Sequence, residues 1–384
     1  MVGLVFNPGE KSGLDCPAMR IVHVASGREW RGGQKQVWLL ASVLHEMYEV
    51  DRAAGGDGRL DQVVVTGSGS ELDRRLRAAG VAVRATAWSA GIDPRAVWTA
   101  FDEARRGRCI LHAHDGHSVF IAGVAGMATG RPLVATRRVD FRLKRPFFWK
   151  RAARVIAVSN AVRDVLLKRG FDGARMPVIW SAMDVAAVAA TRPIDVRGTL
   201  GLPADALVAI NAAALAPEKD QVTLVEAAAR LAARLPRLRW VIAGEGRVGP
   251  DLERLIAARG MQDRVRLVGF LPDPRPWIAA SDLMVLSSRE EGFGGTLLDA
   301  LALGVPIVAT RTGGIPEVVG GKAGLLVPVG DPEAFAAAVA RVLEDADLRR
   351  CLSEEGRLRA RDFSHRRSAE AVMQVYREIW RGRA

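Results

Sequence analysis

Short apolar runs alternate with amphipathic stretches along this chain, and the alternation predicts strands and helices in turn. A short apolar run bounded by turn residues is typical of a buried parallel strand, and apolar residues at helical spacing indicate the helix that follows. In the first half we predict strands at 20–25, 62–66, 81–84, 109–114, 132–136, 155–158 and 178–179.

The second half repeats this alternation. The predicted strands there are 207–213, 239–243, 265–268, 283–286, 307–309 and 325–327, and two long helices at 348–361 and 367–381 close the chain. Two successive βα series favour an α/β protein of two doubly wound, Rossmann-like domains that face each other across a cleft.

Length and terminal composition set the expected boundaries. A chain of 384 residues suits two domains. Residues 1–18 lack a basic region followed by an apolar core, so we expect a disordered extension rather than a signal peptide. The first domain is expected at 19–188 and the second at 189–364.

Composition narrows the class of protein. Hydrophobic residues make up 49% of the chain and charged residues 26%, so each half can bury a normal core. No apolar run is long enough to span a membrane. Cys16, Cys109 and Cys351 are few, odd in number and far apart, which argues against a disulfide framework and for a reducing cytoplasm.

The net charge of +12 has several explanations. Only seven of the 55 basic residues are lysine, so codon composition explains part of the arginine content. No zinc spacing, basic zipper or aromatic RNA-binding motif is present, so we expect no nucleic-acid partner. An anionic membrane or an anionic substrate is the favoured use of the charge.

An acidic glycine turn follows the strand at 283–286 and precedes a helix. It reads Glu291-Gly292-Phe293-Gly294-Gly295, and Asp299 lies in the helix after it. Backbone N–H groups at a helix N-terminus suit a diphosphate, while carboxylates accept hydrogen bonds from sugar hydroxyls. The turn therefore indicates a phosphate-bearing sugar; the bland alternative is that both acids complement the helix dipole.

The residues from 287 to 319 resemble the nucleotide-sugar motif of family 4 glycosyltransferases. In that family a Glu-seven residues-Glu pattern is followed by a Gly-Val-Pro turn, here 304–306, and by Gly-Gly-Ile-Pro-Glu, here 313–317. Lys219 and the turn 244–246 also have family counterparts. The resemblance runs from about Met19 to the end, and it implies the GT-B fold with residues 365–384 crossing back to complete the first domain.

The resemblance also implies roles for individual residues. Lys219 and the N–H groups at the glycine turn would stabilise the leaving diphosphate, Glu291 would hold sugar hydroxyls, and Asp299 the ribose. His114, at a strand end, would face the donor sugar or the acceptor, and with Glu291 and Lys219 it completes the catalytic candidates. The predicted donor contacts are Gly32, Gly33, Gly244, Phe270, Phe293, Gly294, Gly295, Thr296 and Asp299.

Some of these positions have simpler explanations. Gly32 and Gly33 also suit a tight turn without a ligand.

Alternation places His112 and His114 on the same side of one strand, with His117 close by. Three histidines can hold a metal, but no carboxylate set accompanies them, so we expect no metal and treat His112 as structural.

Two departures from the family pattern concern charge and reach. Asp299 is one methylene shorter than the usual glutamate. The arginine usually found five residues before the lysine is Ala214 here. We hypothesise that Arg137 or Arg138 supplies the missing charge when the cleft closes; an acceptor contact or a solvated loop is the alternative.

The residues and the resemblance together predict a cytoplasmic, metal-independent glycosyltransferase without a bound cofactor. The resemblance implies that the anomeric configuration is retained. Its expected substrates are a nucleoside-diphosphate sugar and a lipid-linked or oligosaccharide acceptor of cell-envelope synthesis, such as lipopolysaccharide. Cations interleave with aromatic residues at 141–154, so we expect peripheral contact with an anionic membrane; packing of those aromatics in the core is the alternative. A sugar-nucleotide epimerase and a catalytically weak nucleotide-sugar-binding subunit remain rival functions.

Overall fold

The computed structural model describes residues 19–26, 30–53, 60–88, 91–139, 143 and 146–382. The extension expected at 1–18 lies outside these residues. Within the described ranges, the chain forms two six-stranded sheets in which every pairing is parallel.

The first sheet comes from the first half of the chain. Its strands are β1 (Met19–Val24), β2 (Leu60–Gly67), β3 (Ala82–Thr86), β4 (Ile110–Ala113), β5 (Leu133–Arg137) and β6 (Arg154–Ala157), in the spatial order β3-β2-β1-β4-β5-β6. The helices are α1 (Gly32–Ala53), α2 (Glu71–Ala78), α3 (Pro94–Arg105), α4 (Gly116–Thr129), α5 (Phe147–Arg151) and α6 (Asn160–Leu167).

The second sheet repeats this order. Its strands are β7 (Leu207–Ala212), β8 (Leu238–Ala243), β9 (Val265–Gly269), β10 (Leu283–Leu286), β11 (Ile307–Thr310) and β12 (Leu325–Val327), arranged β12-β11-β10-β7-β8-β9. Two short helices, α7 (Val185–Ala189) and α8 (Val196–Thr199), precede this sheet in the chain. The helices that pack with the sheet come after them. They are α9 (Gln221–Leu231), α10 (Gly249–Ala258), α11 (Arg275–Ala279), α12 (Gly295–Leu303), α13 (Ile315–Val319), α14 (Pro332–Glu344) and α15 (Ala346–Ala360).

The last helix, α16 (His365–Trp380), returns to the first sheet. Its apolar face, including Ala369, Val372 and Tyr376, joins one buried cluster with Ile21 of β1 and Leu44 of α1. The crossing is reached through a bridge between Met183 and Ser364. The predicted α/β architecture, with the terminal helix on the first domain, is confirmed.

Three local predictions differ from the structure. The strand predicted at 178–179 is only an isolated bridge between Val178 and Ala157, because the hydrogen bonds of this segment to β6 join Pro177 and Ile179 to the single residue Ala157. The segment between the two predicted series of strands holds two short helices, α7 and α8, each begun by an aspartate cap. The short helices α5 and α13 were not predicted, since five residues give too little periodicity.

Both sheets have a topological switch point, where successive connections leave in opposite directions. In the first sheet it lies between β1 and β4, and in the second between β7 and β10. In open α/β sheets, ligands bind beyond the carboxyl ends of the strands at this point. The loops that follow these four strands therefore define where a site can form.

No helix in the described part of the chain has the length and apolar character needed to cross a bilayer.

Candidate functional site

Lys219 and Glu291 meet at the switch point of the second sheet. Lys219 lies on the loop after β7 and Glu291 on the loop after β10, and these strands are neighbours. The Lys219 Nζ atom is 2.5 Å from Glu291 Oε2, and Ser288 Oγ lies 3.3 Å from the same oxygen. Two residues that the sequence separates widely thus form one ion pair, on side chains that remain partly accessible to water.

The loop that carries Lys219 is fixed by hydrogen bonds to the neighbouring loop. Residues Pro217–Lys219 form a 3₁₀ turn. Ser287 Oγ donates to the Lys219 carbonyl at 2.9 Å, and the Arg289 N–H donates to the Glu218 carbonyl at 2.8 Å. The ammonium therefore projects from a rigid support, as a residue that must meet a developing charge requires.

The N-terminus of α12 borders this ion pair. Gly294 precedes the helix with φ 89°, a left-handed conformation that favours glycine, and no side chain caps it. Among the described residues, no atom lies within 4 Å of the position that a Cβ on Gly295 would take. The first N–H groups of α12 have no acceptor within the helix, so Gly295, which is exposed, and Thr296, which is half-buried, offer N–H donors to a ligand.

Asp299 lies one turn further along α12 and faces the first domain. Its carboxylate is buried, and its Oδ1 atom is 3.6 Å from Nζ of Lys35 in α1. Burial raises the pKa of Asp299, while the positive charges of Lys35 and Arg275 oppose that rise. Lys35 lies two residues after the predicted pair Gly32 and Gly33, but the sequence analysis did not select it.

The predicted glycines have different surroundings. No described atom lies within 4 Å of a Cβ built on Gly32, whereas a Cβ on Gly33 would contact Arg138. At Gly244 and Gly246, a Cβ would overlap the carbonyl oxygens of Ala213 and Leu215. The turn at 244–246 therefore needs glycine for packing against the loop that leads to Lys219.

The two predicted phenylalanines lie in opposite environments. Phe270, on the turn after β9, is 51% exposed. Phe293 is buried, and its ring centroid lies 5.7 Å from that of Phe363 in the core. Any contact of Phe293 with a donor is thus restricted to its main chain.

Three histidines form a buried cluster at the switch point of the first sheet. His114 follows β4, and its Nε2 lies 3.0 Å from Nδ1 of His23 in β1. His112 pairs through Nδ1 with Tyr376 Oη at 2.5 Å and through Nε2 with Thr136 Oγ1 at 2.7 Å. His112 is thus held on both ring nitrogens, in agreement with its predicted structural role.

Burial keeps these imidazoles neutral. It lowers the pKa of His23 to about 4, and it lowers the pKa values of His112 and His114 well below their usual range, with the neighbouring positive charge of Arg138 adding to the effect. The Nδ1 atom of His114 has no hydrogen-bond partner among the described residues. His114 is therefore a neutral group with one unused polar atom.

The same cluster is the one group of metal-ligand type found among the described residues. One ligand atom from each of His23, His112 and His114 lies within 4.8 Å of the others. The chemistry of this set fits a metal poorly, because both nitrogens of His112 are already engaged, no carboxylate joins the set, and the Arg138 charge would oppose a cation.

The two candidate arginines at the end of β5, Arg137 within the strand and Arg138 just after it, have different surroundings. The Arg137 guanidinium lies over the Trp149 ring, 5.5 Å from its centroid. Arg138 is half-buried beside Gly33, and burial lowers its pKa to about 10, with the charge of Asp115 opposing the change. Its main chain contacts the second domain, since a Cβ on Gly292 would overlap the Arg138 carbonyl.

Two family profiles match the chain. The profile described as Glycosyltransferase Family 4 matches residues 30–187, and the profile described as Glycosyl transferases group 1 matches residues 206–345. This chain belongs to the group 1/family 4 type of glycosyltransferase.

Curated relatives match parts of this glycosyltransferase chain. The lipopolysaccharide core biosynthesis glycosyltransferase LpsE of Rhizobium meliloti (strain 1021) is 38% identical over 162 residues, which are 42% of this chain and 46% of LpsE. The alpha-D-kanosaminyltransferase of Streptomyces kanamyceticus is 32% identical over 238 residues, 60% of this chain and 61% of that enzyme. The chain thus spans 46% and 61% of the lengths of these two relatives.

Solved structures share the fold over nearly the whole chain. HepE of Anabaena, in complex with UDP and in complex with UDP-glucose, aligns with a TM-score of 0.78 at 20% identity, covering 93% of this chain and 99% of HepE. At this identity the likeness concerns the fold, and it confirms the predicted GT-B arrangement.

Sequence reasoning missed several residues that the glycosyltransferase fold brings to the cleft. Lys35 could have been selected from the sequence, because it lies two residues after the predicted pair Gly32 and Gly33. His23 lies in an apolar strand, and nothing local distinguishes it from a core residue. Glu317 belongs to the recognised Gly-Gly-Ile-Pro-Glu segment, yet no role was assigned to it.

Proposed function

We propose that this protein transfers a sugar from a nucleoside-diphosphate sugar to an acceptor bound by the first domain. The observation that carries the proposal is the Lys219–Glu291 pair beside the uncapped N-terminus of α12, at the switch point of the second sheet. A cation, open N–H donors and a carboxylate acceptor are the groups that a diphosphate and a sugar need.

The proposed chemistry depends on stabilising the leaving diphosphate. When the donor binds, the Lys219 ammonium turns from Glu291 to the phosphate oxygens, and the N–H groups of Gly295 and Thr296 donate to the same anion. Glu291 then accepts hydrogen bonds from the sugar hydroxyls, and Asp299 from the ribose. In this proposal His114, which is neutral and has Nδ1 unpartnered, contacts the sugar or the acceptor.

Retention of the anomeric configuration and independence of metal are further parts of the proposal. The family resemblance supports both, and Lys219 with the N–H donors of α12 offers positive charge from the protein itself. The anomeric proton coupling of the product, followed by NMR from the start of the reaction, tests retention. Turnover that persists in excess EDTA is expected if no metal takes part.

For the acceptor we propose a lipid-linked or oligosaccharide molecule of the cell envelope, used at the cytoplasmic side of the membrane. The name of the partial relative LpsE, a lipopolysaccharide core biosynthesis glycosyltransferase, supports this class. Cys109 and Cys351 are free thiols, in keeping with a reducing compartment.

Membrane contact through residues 141–154 is also proposed, in a narrower form than the sequence suggested. Phe148 and Trp149 are buried, as the core-packing alternative predicted, whereas Phe147 is 56% exposed. Arg151 lies over the Phe147 ring at 5.4 Å. Phe147, Lys150 and Arg151 are therefore the described residues that support the contact; Phe141, Lys144 and Arg145 lie outside the described residues.

Two rival functions share the same nucleotide site. A sugar-nucleotide epimerase would consume or convert the donor without an acceptor. A binding subunit would take up the nucleotide sugar and turn nothing over. Measuring the consumption of the donor with and without an acceptor fraction distinguishes both rivals from a transferase, because only a transferase needs the acceptor to consume the donor.

The test is a panel of nucleoside diphosphates and their sugars, beginning with UDP and UDP-glucose, measured by thermal shift. A ligand at about 100 times its dissociation constant adds roughly 2.7 kcal/mol to the stability of the folded state. We expect at least one nucleoside diphosphate and its nucleotide sugar to raise the melting temperature of the protein. The Lys219→Ala substitution should abolish this rise. Acceptor-dependent release of the nucleotide is expected next; no stabilisation by any member at millimolar concentration would overturn the proposal.

A further inference from the structure

The diphosphate site is short of one positive charge. The family position five residues before Lys219 is Ala214, whose side chain is exposed. Lys219 is the cation next to α12, and it is paired with Glu291. A diphosphate carries more negative charge than one ammonium neutralises, so a second cation must come from elsewhere in the cleft.

Lys35 reaches the second domain from the opposite side. It occupies the first turn of α1, and its Nζ lies 3.6 Å from Asp299 Oδ1 across the cleft. Its side chain is 32% exposed, whereas that of Asp299 is 6% exposed. The ammonium therefore sits on the water-accessible side of a buried carboxylate and keeps its mobility.

The distance to the open end of α12 is short. Asp299 is four residues beyond Gly295, a rise of about 6 Å along the helix axis. A lysine side chain has a flexible stem of four carbons. Rotation of that stem would carry the ammonium from beside Asp299 towards the N-terminal end of α12, where Gly295 is exposed.

Two arginines near the site are already engaged by other side chains. Arg275 holds Asp273 with two hydrogen bonds, Nε to Oδ1 at 2.7 Å and Nη2 to Oδ2 at 2.5 Å. Arg137 is stacked on Trp149. Arg138 lines a small cavity of the first domain with His112, Thr136 and Gln36, and its Nε has no hydrogen-bond partner among the described residues, so it is tested beside Lys35.

We propose that Lys35 is a donor-binding residue, which supplies from the first domain the cation that the family arginine supplies from position 214. On donor binding, the ammonium leaves Asp299 for the diphosphate, and the ribose hydroxyls take its place as hydrogen-bond donors to Asp299. The inference rests on the proposed function, because it assumes that a nucleoside diphosphate occupies this cleft. It also makes the contact between the domains dependent on the donor.

The experiment compares a nucleoside diphosphate with its nucleoside. Calorimetry with UDP and with uridine is run on wild type, Lys35→Ala, Lys35→Gln, Arg138→Gln and the control Lys168→Ala, which removes an exposed lysine of the same domain. GDP with guanosine, or ADP with adenosine, replaces this pair if the thermal panel selects another base.

Because charge-assisted contacts to phosphate are the strong ones, both Lys35 variants should weaken UDP binding roughly ten- to a hundredfold and leave uridine binding unchanged within about twofold. The control should bind both as wild type does. Restoring the arginine with Ala214→Arg in the Lys35→Ala background should recover most of the UDP affinity, since position 214 is exposed and accepts a long side chain.

Three results would overturn the inference while leaving the proposed function intact. These are unchanged UDP affinity in both Lys35 variants, an equal loss for UDP and uridine, and a diphosphate-specific loss confined to Arg138→Gln. Absence of any nucleoside-diphosphate binding by wild type would overturn the proposed function, and the inference with it.

Discussion

Glu317 of the second domain caps the helix of the first domain that begins at Asn160. Its Oε2 accepts from the Asn160 N–H at 3.0 Å and from Asn160 Nδ2 at 2.8 Å, while Oε1 accepts from the Ala161 N–H at 3.1 Å. Trp180 Nε1 also donates to Oε2, at 3.1 Å. A carboxylate at a helix N-terminus is favourable, so this contact holds the two domains together.

Removing this carboxylate should open the cleft. Hydrogen bonds to a charged group contribute about 1.5–3 kcal/mol, so Glu317→Ala should shift the balance of closed and open forms roughly tenfold or more towards the open form. Small-angle scattering of the ligand-free protein should show a larger radius of gyration, and KM for the donor should rise. Glu333→Ala, at the exposed first turn of α14, is the control. An unchanged radius of gyration and an unchanged KM would show that the Glu317 contact does not hold the domains together.

Lys219 and Glu291 should act as a unit in catalysis. Alanine at either position should lower turnover roughly ten- to a thousandfold, because stabilisation of the leaving group or orientation of the sugar is lost. The residues touch, so the double variant should lose less than the product of the single losses. Steady-state kinetics measure the loss of turnover, and urea unfolding measures separately whether the variants have also lost stability. Turnover within about twofold of wild type for both single variants would remove them from the site.

The buried carboxylate of Asp299, which we propose binds the ribose, should lower the free energy of unfolding of the ligand-free protein. Burial raises its pKa in the folded state, so the ionised carboxylate opposes folding above that pKa, and the cost disappears as the pH falls towards the ordinary aspartate value. In the absence of nucleotide, Asp299→Asn should be more stable than wild type at about pH 7.5, and the difference should shrink towards about pH 4.

Urea unfolding across this pH range measures the effect, with Asp347→Asn, an 86% exposed aspartate, as the control. The Asp299→Asn variant should also lose most of the stabilisation that nucleotide gives. A variant that is less stable than wild type at every pH would contradict the prediction.

His23 should make the first domain sensitive to acid. Its pKa is lowered by burial to about 4, against 6.5 in the unfolded chain. For a base with a lowered pKa, the stability is present above the unfolded value and is lost as the pH falls from 6.5 towards 4. The loss should reach roughly 2 kcal/mol at about pH 5 for this group alone.

His112 and His114, whose pKa values burial also lowers, should add to this loss. His23→Gln should therefore show a shallower decline of the free energy of unfolding between about pH 7 and about pH 5 than wild type. Exposed His117→Gln should follow wild type. Equal slopes for wild type and the His23 variant would show that the imidazole is not kept neutral by folding.

Membrane contact should depend on Phe147 and the cations around it. At about 1 kcal/mol per cation near an anionic surface, changing Lys144, Arg145, Lys150 and Arg151 together to Gln should strongly reduce binding, and added salt should weaken the wild type likewise. Vesicle co-sedimentation with and without anionic lipid measures this. Lys168→Gln with Arg169→Gln, an exposed pair in the same domain, is the control. Equal recovery on neutral and anionic vesicles would reject the contact.

The sequence by itself determined the two series of parallel strands and the local part of the site, but not the short helices such as α5 and α13. Strands such as Leu283–Leu286 and Leu325–Val327 were predicted to the residue, because a buried parallel strand is a short apolar run between turn residues. The glycine turn before α12 and its flanking carboxylates were equally visible. Each of these features depends on residues within about one or two turns of one another.

Only the tertiary structure decided which distant side chains share the cleft. The contacts of Lys35 with Asp299, His23 with His114 and Glu317 with Asn160 each join separate loops or strands, and sequence periodicity does not specify the partner. The aromatic residues show the same limit. Phe147 is exposed while Phe148 and Phe293 are buried, because burial depends on packing by distant neighbours such as Phe120 and Phe363 rather than on the residue type.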